Sequence, residues 1–186
     1  MKLLLIVSLL GFMVVSCNDQ VADTASHTTD STKSETASAE QLTYAYTLDH
    51  PYKDWQPGDQ KHAVTAMAAL KAYEDGDIAT CASFFGDSVT LRFDRYHARV
   101  GNDSLIKIFT KSRGDIKSTK VNMQDWESVI SKDKKEEYVT LWYKEVITAK
   151  NGKTDSMAVV DDAKIVNGKI VELDQKIQHF PAAKKM

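Results

Sequence analysis

From residue 59 onward the apolar positions follow first one period and then another. Ala63, Val64, Met67, Leu70 and Tyr73 recur at helical spacing after Asp59, a good N-cap, and Gly76 closes that helix. Asp77 caps a second, shorter helix with the stripe Ile78, Cys81, Phe84 and Phe85, and Gly86 ends it. Over Ser88–Asp94 the period drops to two, with Val89, Leu91 and Phe93 set against polar neighbours, as in a half-buried strand. Residues 95–100 read as a loop or an irregular strand. A third helix then opens at Gly101-Asn102, capped by Asn102 or Asp103, with Leu105, Ile106, Ile108 and Phe109 as its apolar face, and Gly114 stops it.

The rest reads as strands. Lys117–Ser131 is a long extended run, Lys132–Lys135 a charged turn, and Tyr138–Ala149 a strand rich in aromatic and β-branched residues. Asn151-Gly152 and Asn167-Gly168 are two-residue hairpin signals, because both residue types tolerate positive φ. They separate the strands Thr154–Val166 and Lys169–Phe180. The order helix, helix, strand, helix, then four antiparallel strands predicts an α+β domain. A long meander twists and curls. The three N-terminal helices are therefore expected on the concave face of a cone-shaped, curved antiparallel sheet, with a cavity between.

The amino-terminal region follows other rules. Met1 and Lys2 precede an apolar run from Leu3 to Val15 that ends at Ser16 and Cys17. A basic start, a short apolar core and a small residue describe a secretory signal, and the run is too short to span a bilayer. Val14-Val15-Ser16-Cys17 resembles the bacterial lipobox. That resemblance implies removal of residues 1–16 and acylation of Cys17. It also implies a bacterial cell-envelope location, periplasmic or surface-exposed, with the lipid bilayer as a partner. Residues 17–40 are polar and poor in large apolar groups, which predicts a disordered tether. Residues 41–58 carry Tyr44, Tyr46, Tyr52 and Trp55 among turn formers and are read as an ordered lead-in that packs these aromatics on a domain spanning 59–181.

Composition removes several function classes. The formal net charge is −2, and no basic stripe with interleaved aromatics appears, which argues against nucleic acid as a partner. The sequence holds no CxxC pair, no HExxH, no Gly-rich phosphate loop and no G-x-S-x-G, and its five histidines are scattered, so neither a metal nor a cofactor is expected. With Cys17 acylated, Cys81 has no partner in the chain and is read as a small buried hydrophobe.

Four segments resemble the nuclear transport factor 2-like (NTF2-like) superfamily, including its SnoaL-like branch. Ala68–Asp77 is similar to its long helix, Gly-Asp and short helix. Phe84–Val89 is similar to the entry to its first strand, Gly101–Ile106 to the start of its third helix, and Val166–Glu172 to its last hairpin. The resemblance implies a conical α+β barrel and a tendency to homodimerise through the outer sheet surface. It also implies enzymes that use an inward Asp, often with Tyr or His, beside many members with no chemistry. Where the family often has Trp and, two residues on, Tyr, this chain has Asp174 and Lys176.

Strand parity sorts the candidate site residues. In the last strand Val171, Leu173, Gln175, Ile177 and His179 are expected to face the core, and Ile170, Glu172, Asp174, Lys176 and Gln178 the solvent. Asp161 and Asp162 point to opposite faces, so one of them can enter the cavity as a carboxylate of raised pKa. The candidate general bases are Asp94 with His97, or Asp162. Tyr73, Phe93, Trp126 and Trp142 are the candidate ligand contacts. The first reading is an envelope-anchored module that binds a small ligand or a protein partner without catalysis. The alternative is a small-molecule isomerase, dehydratase or cyclase.

Overall fold

The computed structural model describes residues 43–180. The signal segment, Cys17 and the tether to residue 40 lie outside the described residues. The chain divides into two units, Met1–Tyr46 and Thr47–Met186. Of the first, only residues 43–46 are described, and Tyr44 and Tyr46 are exposed there.

Within the second unit, strand β1 (Gln56–Pro57) leads into α1 (Gln60–Asp75) and α2 (Ile78–Ser83). The hairpin β2 (Phe85–Phe93) and β3 (Tyr96–Gly101) precedes α3 (Asn102–Gly114). Four long strands complete the unit: β4 (Ile116–Ile130), β5 (Glu137–Ala149), β6 (Thr154–Val166) and β7 (Lys169–His179). They form one seven-stranded sheet in the order β1-β4-β5-β6-β7-β2-β3. The sheet is mixed, because β2 joins β7 in parallel while the other pairings are antiparallel. A period-two pattern is the same for either strand direction, so alternation alone did not reveal this contact.

Helix α1 is held at both ends by the residues the pattern identifies. Asp59 accepts from the Lys61 N–H at 2.9 Å, and Gly76 turns the chain at φ 81° while its N–H meets the last carbonyls. The Arg113 guanidinium adds bonds to the Tyr73 and Glu74 carbonyls at 3.1 and 3.3 Å, where a cation complements the helix end. The buried face differs from the expected one. Ala63, Ala66, Ala69 and Ala72 go inward and Val64 is exposed. A stripe of alanines lets the helix axis lie close to the sheet, while Met67, Leu70 and Tyr73 flank it.

Three other boundaries depart from the expectation. Phe85 begins β2 instead of ending α2, and Gly86 sits in the strand, where an added Cβ would come within 3.3 Å of Val171. Residues 96–101 form a regular strand paired with β2. Gly101 is the N-cap of α3, and the Asn102 amide instead donates to the Ala82 carbonyl at 3.1 Å, tying α3 to α2. In the lead-in, Trp55 packs edge-on against Tyr138 with ring centroids 5.7 Å apart, but Tyr52 is exposed.

The inner face of the sheet and the helices share one core. Val89 and Leu91 of β2, Val139 and Leu141 of β5, Val159 of β6 and Leu105 of α3 are all essentially inaccessible. Phe109 of α3 meets Tyr73 and Phe85 edge-on at centroid distances of 5.5 and 5.6 Å.

Candidate functional site

Between the helices and the inner sheet face lies a cavity of about 340 Å³. Helices α1 to α3 contribute Ala66, Ala69, Leu70, Tyr73, Cys81, Ile108, Phe109 and Ser112 to its wall. Leu141, Tyr143, Glu145 and Ile147 of β5 face Met157, Asp161 and Ala163 of β6, with Leu173, Gln175 and Ile177 of β7 beyond. The wall is mostly aliphatic and aromatic because every second residue of β5 and β6 turns inward. Alternation through Met157, Val159, Asp161, Ala163 and Ile165 places one carboxylate on that otherwise apolar face, and alternation through Leu141, Tyr143 and Glu145 places a second.

Asp161 is the centre of a buried polar cluster. The Tyr143 hydroxyl donates to its Oδ2 at 2.8 Å, and the Gln175 amide donates to its Oδ1 at 3.0 Å and lies 3.4 Å from the Tyr143 oxygen. Burial raises the Asp161 carboxyl from 3.8 to about 6, against the lowering by its two donors, and the charges of Glu145 and Asp162 add to the rise. Burial, followed by the Asp161 charge, lifts the Tyr143 phenol well above its ordinary range, so Tyr143 stays a neutral donor. Farther along β5, Glu145 accepts from the Thr119 hydroxyl at 2.8 Å. Burial raises its carboxyl too, and Thr119 and Arg113 oppose that rise. Tyr73 is hydrogen-bonded to Ser112 at 2.8 Å, and its phenol is also raised, chiefly by burial.

No family model matches the chain, and no curated protein does. Solved structures do. AusH from Aspergillus nidulans is similar with a TM-score of 0.54 and 18% identity, over 66% of this chain and 87% of that one. An NTF2-like protein of unknown function from Burkholderia pseudomallei gives 0.53 and 13%, over 63% and 91%. An LEH-like epoxide hydrolase of M. tuberculosis gives 0.51 and 14%, over 64% and 84%. The domain has the NTF2-like fold. The curved sheet and its helices form the cone that the resemblance of its four segments implied.

Within the NTF2-like cone the sequence-derived candidates separate. Tyr73 and Phe93 line the cavity. Trp126 and Trp142 do not: Trp126 is 47% exposed, and Trp142 alternates with the inward Leu141 and Tyr143 and so lies on the other face of β5. Asp94 occupies the β2–β3 turn at φ 44° with its side chain 84% exposed, and His97 is exposed on β3 opposite Arg92. No hydrogen bond joins Asp94 and His97 among the described residues. Asp162 faces away from the cavity, accepting from Thr140 at 2.7 Å and from Lys176 at 2.8 Å. The inward member of the pair is Asp161.

Sequence parity held the signal for both missed carboxylates. The odd positions 157–165 of β6 are apolar apart from Asp161, whereas the even set contains Lys164, so Asp161 is the one carried inward. The same count from Leu141 reaches Glu145. In β7 the outward residues Glu172 and Lys176 pair with Arg92 and Asp162, and Gln175 turns in. Cys81 is buried beside the cavity and its thiol is pushed up to about 12, which keeps it protonated. Among the described residues no three His, Cys, Asp or Glu side chains gather as a metal site would need.

Proposed function

We propose that the domain binds a small, mostly apolar molecule in its cavity, with Asp161 receiving the molecule's polar group. The observation that carries this is an apolar hollow whose wall bears a carboxylate, a phenol and an amide joined in one cluster. Pockets for small ligands combine such walls with a few convergent polar groups. The volume is about twice the ~150 Å³ that accommodates benzene, which corresponds to a ligand of ~12 non-hydrogen atoms. An acylated Cys17 would hold this module at a bacterial envelope membrane, with residues 17–40 as spacer. Pairing of two copies would use the outer sheet face, on which Trp142 lies.

Calorimetric titration of the full chain with 2-naphthol, alongside the Ala69→Leu variant, tests the site. Ala69 is buried on the cavity wall, and leucine there fills part of the hollow. Binding to the native chain and its loss in a variant that still melts cooperatively is the expected result. Equal binding to both proteins would place the ligand elsewhere.

A second reading is favoured by the protonation behaviour of Asp161. A carboxyl that titrates near neutrality in an apolar site suits proton transfer, and the Tyr143 hydroxyl that donates to it can turn to a developing oxyanion once the carboxyl is protonated. In an allylic isomerisation Asp161 would take the proton from the carbon next to a ketone and return it to the far end of the alkene. Conversion of cyclohex-3-enone to its conjugated isomer, followed by absorbance, should then be lost in Asp161→Asn. No rate above buffer with the native chain would leave binding as the function.

A further inference from the structure

The charges on the cavity wall are unbalanced. Among the described residues its lining contains Asp161 and Glu145 but no lysine, arginine or histidine. Glu145 has the Arg113 cation nearby, on α3, with Glu74 of α1 adding a like charge. Among the described residues Asp161 has no such cation. The groups facing it are Tyr143 and Glu145 from β5 and Gln175 from β7, with Asp162 adjacent on β6. Tyr73 of α1 and Cys81 of α2 share the cavity and are neutral. Lys176 is committed to Asp162 and Asp174 on the outer surface.

We infer that the ligand of this cavity is a cation, an ammonium group on a small apolar body, with its charge seated against Asp161. The inference rests on the binding reading above and names the ligand class. Burying an ion pair is often no better than neutral because both partners must be desolvated. Here one partner is already buried by the fold, so the ligand brings only its own desolvation cost. The neutral donors Tyr143 and Gln175 occupy one direction on each Asp161 oxygen, and a carboxylate offers about four acceptor directions in all. The remaining directions can accept an ammonium. The same field disfavours a carboxylate ligand, which would add a third negative charge to a low-dielectric space.

Titration of the full chain with 2-phenylethylamine, 2-phenylethanol and 3-phenylpropionate tests this with bodies of matched shape. At about pH 7.5 Asp161 is ionised, and the amine should bind about tenfold more tightly than the alcohol, the gain typical of a hydrogen bond to a charged group over a neutral one. The propionate should bind weakest. At about pH 5 Asp161 is protonated while the amine stays charged, and the preference for the amine should collapse. Asp161→Asn should abolish the preference at both pH values, whereas Glu145→Gln should reduce it less. Alcohol or propionate binding at least as tightly as the amine at the higher pH would overturn the inference, as would an amine preference that survives Asp161→Asn. If the alcohol alone binds, the cavity reading stands and this inference falls. If none of the three binds, both fall.

Discussion

Replacing Asp161 with asparagine should stabilise the domain at neutral pH and do much less in acid. The native Asp161 carboxyl titrates at about 6, against 3.8 for the ordinary group. The folded state therefore binds the proton more tightly than the unfolded chain, so stability is highest below about 3.8 and falls as the pH rises through about 6. At about 1.4 kcal/mol for each tenfold change in proton affinity, the cost of the buried charge reaches about 3 kcal/mol at pH 7.5 and about 1 kcal/mol at pH 4.5. Asparagine carries no charge to bury. Its carbonyl can still accept from Tyr143, and a flipped Gln175 amide can accept from its NH₂, so the hydrogen bonds are replaceable. Urea unfolding of both proteins at the two pH values isolates the effect, since other titrating groups cancel in the comparison. The variant's advantage should be about 2 kcal/mol larger at pH 7.5 than at pH 4.5. An advantage that does not change with pH, or one that grows in acid, would refute the reasoning.

Two further outcomes follow from the same structure and a third from the amino-terminal sequence. Tyr143→Phe removes the donor to Asp161 Oδ2, so Asp161 should titrate above its native value by carbon NMR, with a loss of ~1–3 kcal/mol in urea unfolding at neutral pH. Gly76→Ala forces a side chain into φ 81°, with its Cβ 3.2 Å from the Arg113 guanidinium, and should cost about 1 kcal/mol or more in the same measurement. Cys17→Ala should move the protein from the membrane fraction to the soluble one and abolish incorporation of labelled fatty acid; unchanged membrane association would count against the lipid anchor.

The sequence revealed the elements better than their partners. Helix ends were legible at Asp59 and Gly76 because caps are local chemistry, and the Asn167-Gly168 hairpin because both turn residues take positive φ; at Asn151-Gly152 only Gly152 does, and the loop there runs longer than the expected two residues. The β2–β7 pairing was not legible, because it joins segments about 80 residues apart and leaves no mark in the period of either strand. Phe85 was misplaced for a related reason: an aromatic followed by glycine looks the same at a helix end and at a strand entry. The site was half legible. Parity showed that one of Asp161 and Asp162 turns inward, and extending the count along β6 would have named Asp161. The preference for Asp94 and His97 came from their closeness in sequence. The tight β2–β3 turn instead leaves both exposed, and neither lines the hollow.

Crystals of the chain pressurised with xenon measure the hollow between helices and sheet most directly, since an apolar void of this size admits the gas. Xenon density in contact with Phe109, Leu141 and Met157 is the expected result. An interior closed by side chains at that place, with no xenon bound, would contradict the cavity and every function assigned to it.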